Sequence, residues 1–412
     1  MIALRRHTLS NGLRIVHVQN AQSRFVTLSL LYDVGSKNER PLRTGLAHLM
    51  EHLMFGGSAN VANFDEQVLR AGGYDNAFTS ADETMFYETL PAQNVETAFW
   101  LESDRMKSLL FSEQSLEVQR KVVIEEFKQT RLNRPYGDLW PLANETLFSG
   151  SSYEWPVIGK EISHVQDATM QDVKDFFFSH YAPNNAILTV VGNVSFERTV
   201  SLAEKWFGDI ERRAIQPFTW DAPSLFTQSR HLTRHNENVQ GDVISLNYRI
   251  KGRNDRRTLV DMVLAQVLSS GDTSRFTKIY RQNRSFSGLY CTASLSRYAG
   301  VLNVCGIMLP GENYATARSV IDEEIARLFS EPIAEKELQR VINFWISNES
   351  KENLDNSKLA FKLAKSELLG RAEDYLQEME QIKRITVDDV MERAQKVFRE
   401  TPCFSLYYGP NA

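Results

Sequence analysis

Thr169-Met170-Gln171-Asp172-Val173 and Thr386-Val387-Asp388-Asp389-Val390 open two copies of one pattern. In each, a Thr stands three residues before an Asp at the head of an apolar-periodic run, the mark of a capped helix start. The first run passes through Phe176 and Phe177 to a strand ending at Gly192. The second passes through Val397 and Phe398 to a strand ending at Gly409. Each Thr precedes its Gly by 23 residues, and the copies lie 217 residues apart. Upstream, the strand ending at Leu31-Tyr32 has a counterpart ending at Asn247-Tyr248, 216 residues on. A period of half the chain is an internal repeat. The sequence therefore predicts two tandem homologous α/β domains of α+β class, over residues 1–215 and 231–412. Arg212 to Arg230, with Pro217 and Pro223, reads as the connection, and 216–230 as the linker.

The first copy supplies the detail. Arg6 to Leu9 and Leu13 to Val18 flank Ser10-Asn11-Gly12, a hairpin signal. Val26 to Val34 is a further strand. Helices are expected over Asn63 to Ala71, Asn94 to Leu109, Ser115 to Leu132 and Thr169 to Tyr181, with two strands between Asp75 and Leu90 and another over Ala186 to Val191. Each copy is expected to form a mainly antiparallel sheet packed with helices.

Between these elements lies Gly45-Leu46-Ala47-His48-Leu49-Met50-Glu51-His52-Leu53-Met54-Phe55-Gly56-Gly57. On a helix, positions i and i+4 share a face, so His48 and His52 can hold one metal ion together. Glu51 sits beside that face, positioned to act as a base on water at the metal. The competing reading is two buried, hydrogen-bonded His in an amphipathic helix. The repeat weighs against it. At the 216-residue offset, His48, Glu51 and His52 fall on Leu264, Val267 and Leu268. A helix that only packs uses Leu and Val there, which points to one metal per chain.

A third ligand is needed, with one position left open for water. Glu125 and Glu126, directly after Val122-Val123-Ile124, are the candidates, because an unpaired carboxylate beside an apolar face is costly and coordination removes that cost. A solvated acidic pair is the alternative. Asn76-Ala77-Phe78-Thr79 reads either as turn chemistry or as a strand edge that pairs with an extended peptide.

Composition excludes several classes. The 412 residues carry a net charge of −5, against a nucleic-acid binder or a polybasic membrane anchor. Cys291, Cys305 and Cys403 form neither a disulfide framework nor a C-x-x-C site. No apolar run of membrane-spanning length occurs, and the N-terminus shows no signal-peptide pattern. The expectation is a cytoplasmic protein, or a periplasmic one if a leader was removed.

Leu9-Ser-Asn-Gly-Leu, the H-x-x-E-H helix, Asn76-Ala77-Phe78-Thr79 and the Val122-to-Glu126 stretch together resemble the pitrilysin, insulin-degrading enzyme and mitochondrial processing peptidase family of inverzincin zinc peptidases. The resemblance spans essentially the whole chain and implies half of a clamshell chamber. It implies Zn2+ on His48, His52 and Glu126, Glu51 as general base, and Asn76 to Thr79 as the strand that pairs with peptide substrates. Two departures stand out. A supporting glutamate expected seven residues before the third ligand is Gln119. The family's substrate-holding Arg and Tyr, seven residues apart, fall on Tyr280 and Ser287, with Arg281 and Tyr290 as nearby substitutes at a spacing of nine. The resemblance therefore implies a zinc metalloendopeptidase working as a homodimer, or as a heterodimer with a related chain that supplies the Arg/Tyr pair. The rival readings are a non-catalytic subunit and a His/carboxylate iron enzyme.

Overall fold

The computed structural model describes residues 2–282 and 285–412. The chain forms two compact units, each built on one sheet.

The first sheet contains β1 (Leu4–Thr8), β2 (Arg14–Gln19), β3 (Phe25–Tyr32), β4 (Tyr74–Thr79), β5 (Thr84–Pro91) and β6 (Ala186–Gly192), in the order β1-β2-β6-β3-β5-β4. Only the β2/β6 pair is parallel. The connection after β1 turns at Asn11-Gly12, as its hairpin signal predicts. Gly12 has φ +93°, and a Cβ there would lie 2.7 Å from Asn184 Cβ, so both backbone and space demand glycine. The unit's helices are α1 (Leu46–Met54), α2 (Phe64–Arg70), α3 (Glu96–Ser108) and α4 (Glu113–Phe127), with α6 (Ile162–Gln166), α7 (Met170–His180) and α8 (Phe196–Phe207) following the intervening α5 (Leu139–Leu147). Strands β3 and β6 are buried along almost their whole length, as strands covered on both faces must be.

The second sheet contains β7 (Arg230–His235), β8 (Val243–Lys251), β9 (Phe286–Leu295), β10 (Ala299–Met308) and β11 (Cys403–Gly409), in the order β7-β11-β8-β10-β9. Its helices include α9 (Thr258–Ser269), α10 (Arg275–Gln282) and α11 (Tyr314–Ser330). The chain then runs through α12 (Glu335–Glu352), α13 (Asn356–Leu369), α14 (Glu373–Lys383) and α15 (Val387–Gln395). The internal repeat is visible in the order of both sheets: β6, β3, β5 and β4 of the first stand where β11, β8, β10 and β9 stand in the second. Helices α7 and α15 begin with the same reciprocal cap. The Thr169 hydroxyl accepts from Asp172 N at 3.1 Å while Thr169 N donates to Asp172 at 2.8 Å. Thr386 and Asp389 repeat this at 3.2 and 2.8 Å.

The compact units are not the contiguous stretches 1–215 and 231–412. The chain does change unit at Thr219/Trp220, inside the expected 216–230 connection. However, residues 130–154 belong to the second unit and residues 350–377 to the first. The reason lies in the sheet. Helices of the first copy cover one apolar face of the first sheet. The other face presents Val16, Val18, Leu31, Met85, Ile187 and Val191. Helix α13 covers it with Leu359, Ala360, Leu363, Ala364 and Leu368, all buried. In the second unit, α5 packs against β11, and Tyr408 of that strand donates to Asp138 at 2.6 Å. Helix α4 also ends earlier than its sequence suggests, at Phe127, where a wider π-type turn takes over for Lys128–Leu132.

Two expectations follow. Leu363→Ala removes a fully buried side chain and costs about 3 kcal/mol of stability, read by urea denaturation. A fragment of residues 2–219 leaves one face of its sheet bare and shows no cooperative thermal transition by circular dichroism. Residues 350–377 added as a peptide restore the transition. A cooperative melt of the fragment alone would contradict this account.

Candidate metal centre

The geometry of the centre starts from which face of α1 is apolar. Leu46, Leu49, Met50 and Leu53 recur at helical spacing and are buried in the first core, with Ala47 and Met54 beside them. That fixes the rotation of the helix and leaves His48, Glu51 and His52 on the partly exposed side. The two imidazoles meet edge to face with ring centroids 4.7 Å apart.

Helix α4 is held by Leu116, Val123 and Phe127. This rotation brings Glu126 to the histidines and turns Glu125 away. Glu126 Oε2 lies 3.8 Å from His48 Nε2 and 3.5 Å from His52 Nε2, whereas Glu125 pairs with Lys128 at 3.5 Å. The ligand atoms of His48, His52 and Glu126 all lie within 4.8 Å of one another, the one such group among the described residues. Ligands about 2.0–2.2 Å from a tetrahedral zinc ion stand roughly 3.3–3.6 Å apart, so two imidazole nitrogens and a carboxylate at these separations fit zinc. Burial, followed by the neighbouring His52, pushes His48 down to about 4. Its ring is therefore neutral at pH 7, as a metal ligand must be.

Glu51 stands next to this group. Burial lifts its carboxyl to about 6, against the pull of the Thr79 hydroxyl, which donates to Oε2; the nearby Glu126 adds to the rise. A carboxylate poised close to neutrality suits a general base.

Thr79 ends β4, the edge strand of the first sheet. Alternation along the strand divides the four residues singled out in sequence. Ala77 and Thr79 face the α1 side. Phe78 faces the opposite way, its ring 5.9 Å from Phe361 of α13, which also meets Tyr87 at 4.6 Å. Asn76 shares the Phe78 face, and its side-chain Oδ1 accepts from Ala77 N at 2.8 Å. What the strand offers a ligand on its outer side is backbone.

The other sequence-selected residues lie in the second unit. Arg281 is exposed on α10 and pairs with Asp272 at 2.8 Å. Tyr290 is on the edge strand β9, opposite Cys305, and burial raises its hydroxyl well above the ordinary tyrosine range. Tyr280 packs partly into the second core, and the Ser287 hydroxyl donates to Ile307 O at 3.3 Å. Leu264, Val267 and Leu268, the counterparts of His48, Glu51 and His52, are fully buried on α9.

The structure adds residues that sequence reasoning missed. Arg105 is buried against Glu102 and lies 3.6 Å from Glu88. Its guanidinium lies over the rings of Phe86 and Phe64 at 4.1 and 4.2 Å and over Phe55, just past the end of α1, at 5.4 Å. In sequence, Glu102 and Arg105 look like an ordinary surface pair three residues apart. The link from Thr79 to Glu51 also has no sequence signal, since it joins two elements 28 residues apart.

Comparison with known proteins gives the family and the fold. Residues 14–138 match the insulinase domain of peptidase family M16, and residues 167–344 match the M16 inactive domain. The zinc protease PqqE of Helicobacter pylori is 30% identical over 273 residues, which are 65% of this chain and 61% of that protein. The uncharacterized zinc protease YmxG of Bacillus subtilis is 26% identical over 412 residues, 98% of each chain. The crystal structure of a protease from Helicobacter pylori superposes with a TM-score of 0.94 at 24% identity, over 100% of both chains.

The centre yields a clean contrast. His52→Ala and Glu126→Ala lower the zinc content of the purified protein from near one equivalent to background, whereas Glu125→Ala leaves it unchanged. Elemental analysis after dialysis measures all three, and zinc loss on Glu125→Ala alone would reverse the ligand assignment.

Proposed function

The chain belongs to peptidase family M16, and on that premise we propose that it is a zinc-dependent endopeptidase acting on peptides or unfolded segments, with Glu51 as general base. The observation that carries the reading is the convergence of His48, His52 and Glu126 beside a carboxylate held by Thr79. His48, His52 and Glu126 would hold one zinc ion per chain. When bound, zinc supplies Lewis acidity for the attacking water and the scissile carbonyl.

The chain's own residues do the rest. Glu51 takes the proton of the attacking water on its carboxylate and returns it to the leaving amine. The Thr79 hydroxyl keeps that carboxylate turned toward the metal-binding side. The outer edge of β4, along Asn76 to Thr79, pairs its backbone with an extended substrate, which favours unfolded segments because only they can lie along a strand edge.

A partner-dependent form of the same reading has its own support. Arg281 is already engaged by Asp272, and the Tyr290 hydroxyl faces Cys305. Both side chains are exposed, but their spacing of nine departs from the family's seven. A related chain supplying an Arg/Tyr pair in a dimer would complete the site; Arg281 and Tyr290 are the alternative within this chain.

Glu51→Gln is expected to retain zinc and lose about 10²- to 10⁴-fold in kcat on a quenched fluorescent peptide. A chelator abolishes wild-type cleavage and added zinc restores it. Near-wild-type cleavage by Glu51→Gln would exclude the base assignment. Full turnover by the isolated monomer would exclude the need for a partner.

A further inference from the structure

The loop between β3 and α1 contains a residue that the proposed mechanism does not use. A helix begins with backbone N–H groups that lack partners, and a side chain at the position before the helix usually accepts from one of them. Here that position is Gly45, in the left-handed conformation with φ +87°, and it has no side chain to offer. Glu39, six residues earlier and buried, takes over. Its Oε2 accepts from Gly45 N at 3.0 Å and its Oε1 from Ala47 N at 2.8 Å. A carboxyl group that accepts from two N–H groups at a helix N-terminus satisfies donors that burial would otherwise leave unpaired. Ala47 is the residue directly before His48.

The other end of the same loop is bonded to a different element. Ser36 N donates to Ser80 O at 3.2 Å and Lys37 N to Ala81 O at 2.9 Å. The buried Lys37 ammonium pairs with Asp33 at 2.7 Å and donates to Asp82 O. A Cβ on Gly35 would lie 2.5 Å from Ser80 O, so the two segments are in close contact. Residues 80–83 form the turn between β4 and β5, directly after Thr79.

We infer that residues 35–39 form a two-ended brace in which Glu39 and Lys37 are positioning residues that set the separation of Glu51 on α1 from Thr79 on β4. The brace is bonded to the N-terminus of one element and to the terminal turn of the other. The Thr79–Glu51 hydrogen bond is the place where an error in that separation would appear. The loop acts through backbone and buried charge, without touching the metal ligands or the reacting atoms. This inference rests on the peptidase reading for its catalytic consequence but not for its structural one.

The test uses the full chain with Glu39→Gln, Glu39→Ala and Lys37→Met. Glu39→Gln keeps the volume and one acceptor oxygen, so it stays folded even if Glu39→Ala does not. The first readout is hydrogen exchange at the Gly45 and Ala47 amides, expected to speed up at least 10-fold in the Glu39 variants and not in Lys37→Met. The second is zinc affinity by chelator competition, expected to fall about 10- to 100-fold in Glu39→Ala and less in Glu39→Gln, with Lys37→Met unchanged. The third is peptide cleavage, where both sites lower kcat with KM little changed. A mere stabilising role would lower the melting temperature and leave zinc affinity and kcat intact, which overturns the inference. Wild-type exchange at Gly45 and Ala47 in Glu39→Gln overturns it as well. If the wild-type chain neither binds zinc nor cleaves peptide, the peptidase reading fails, and hydrogen exchange alone still decides the brace.

Discussion

Burial of one face of α1 is the constraint on which the functional site depends. Leu46, Leu49, Met50 and Leu53 each bring apolar area out of water, and four such side chains together stabilise by several kcal/mol, about 1.5–3 kcal/mol each. No other rotation of the helix keeps them all buried. The direction in which His48, Glu51 and His52 point is therefore a by-product of packing. The same holds for α4, where Leu116, Val123 and Phe127 in the core leave Glu126 facing the histidines. Two helices, each oriented by apolar contacts, converge three polar atoms within metal-binding distance.

Acidic groups surround this site at a depth where they are expensive. Glu39, Glu51 and Glu88 are all raised by burial, Glu39 to about 8 and Glu51 to about 6. Each has a different compensation. Glu39 has two helix N–H groups, which favour its ionised form against that burial. Glu51 has the Thr79 hydroxyl. Glu88 shares the Arg105 cation with Glu102, and with both its oxygens lacking a hydrogen bond it is driven toward its neutral form.

The internal repeat sets the candidate helix beside a counterpart that only packs. In the second copy, Leu264, Val267 and Leu268 fill the core together with Val263 and Ala265 of α9. The two copies are also interlocked. The first sheet has a face that its own half does not cover, and α13 from the other half covers it. Phe361 on α13 then supports Phe78 and Tyr87, so a helix of the second half stands behind the very strand that carries Thr79. The boundary read from the repeat follows the order of the chain, while the compact units follow burial.

Sequence by itself determined the elements and their pairing into copies, because hydrophobic period, the Asn11-Gly12 turn and the Thr169 and Thr386 caps are local signals. It also brought His48, Glu51 and His52 together as a candidate group, since i, i+3 and i+4 on one helix need no tertiary information. That Glu126 and not Glu125 lies beside the histidines follows from the rotation of α4 against a core formed by distant residues. The roles of Thr79, Glu39 and Arg105 were equally illegible, because a hydroxyl or carboxylate meeting a group far along the chain leaves no periodic trace. The exchange of α13 and residues 130–154 was decided by the tertiary structure alone, for the same physical reason: a sheet's second face is covered by whichever apolar helix the topology brings to it, and spacing along the chain does not record which one that is.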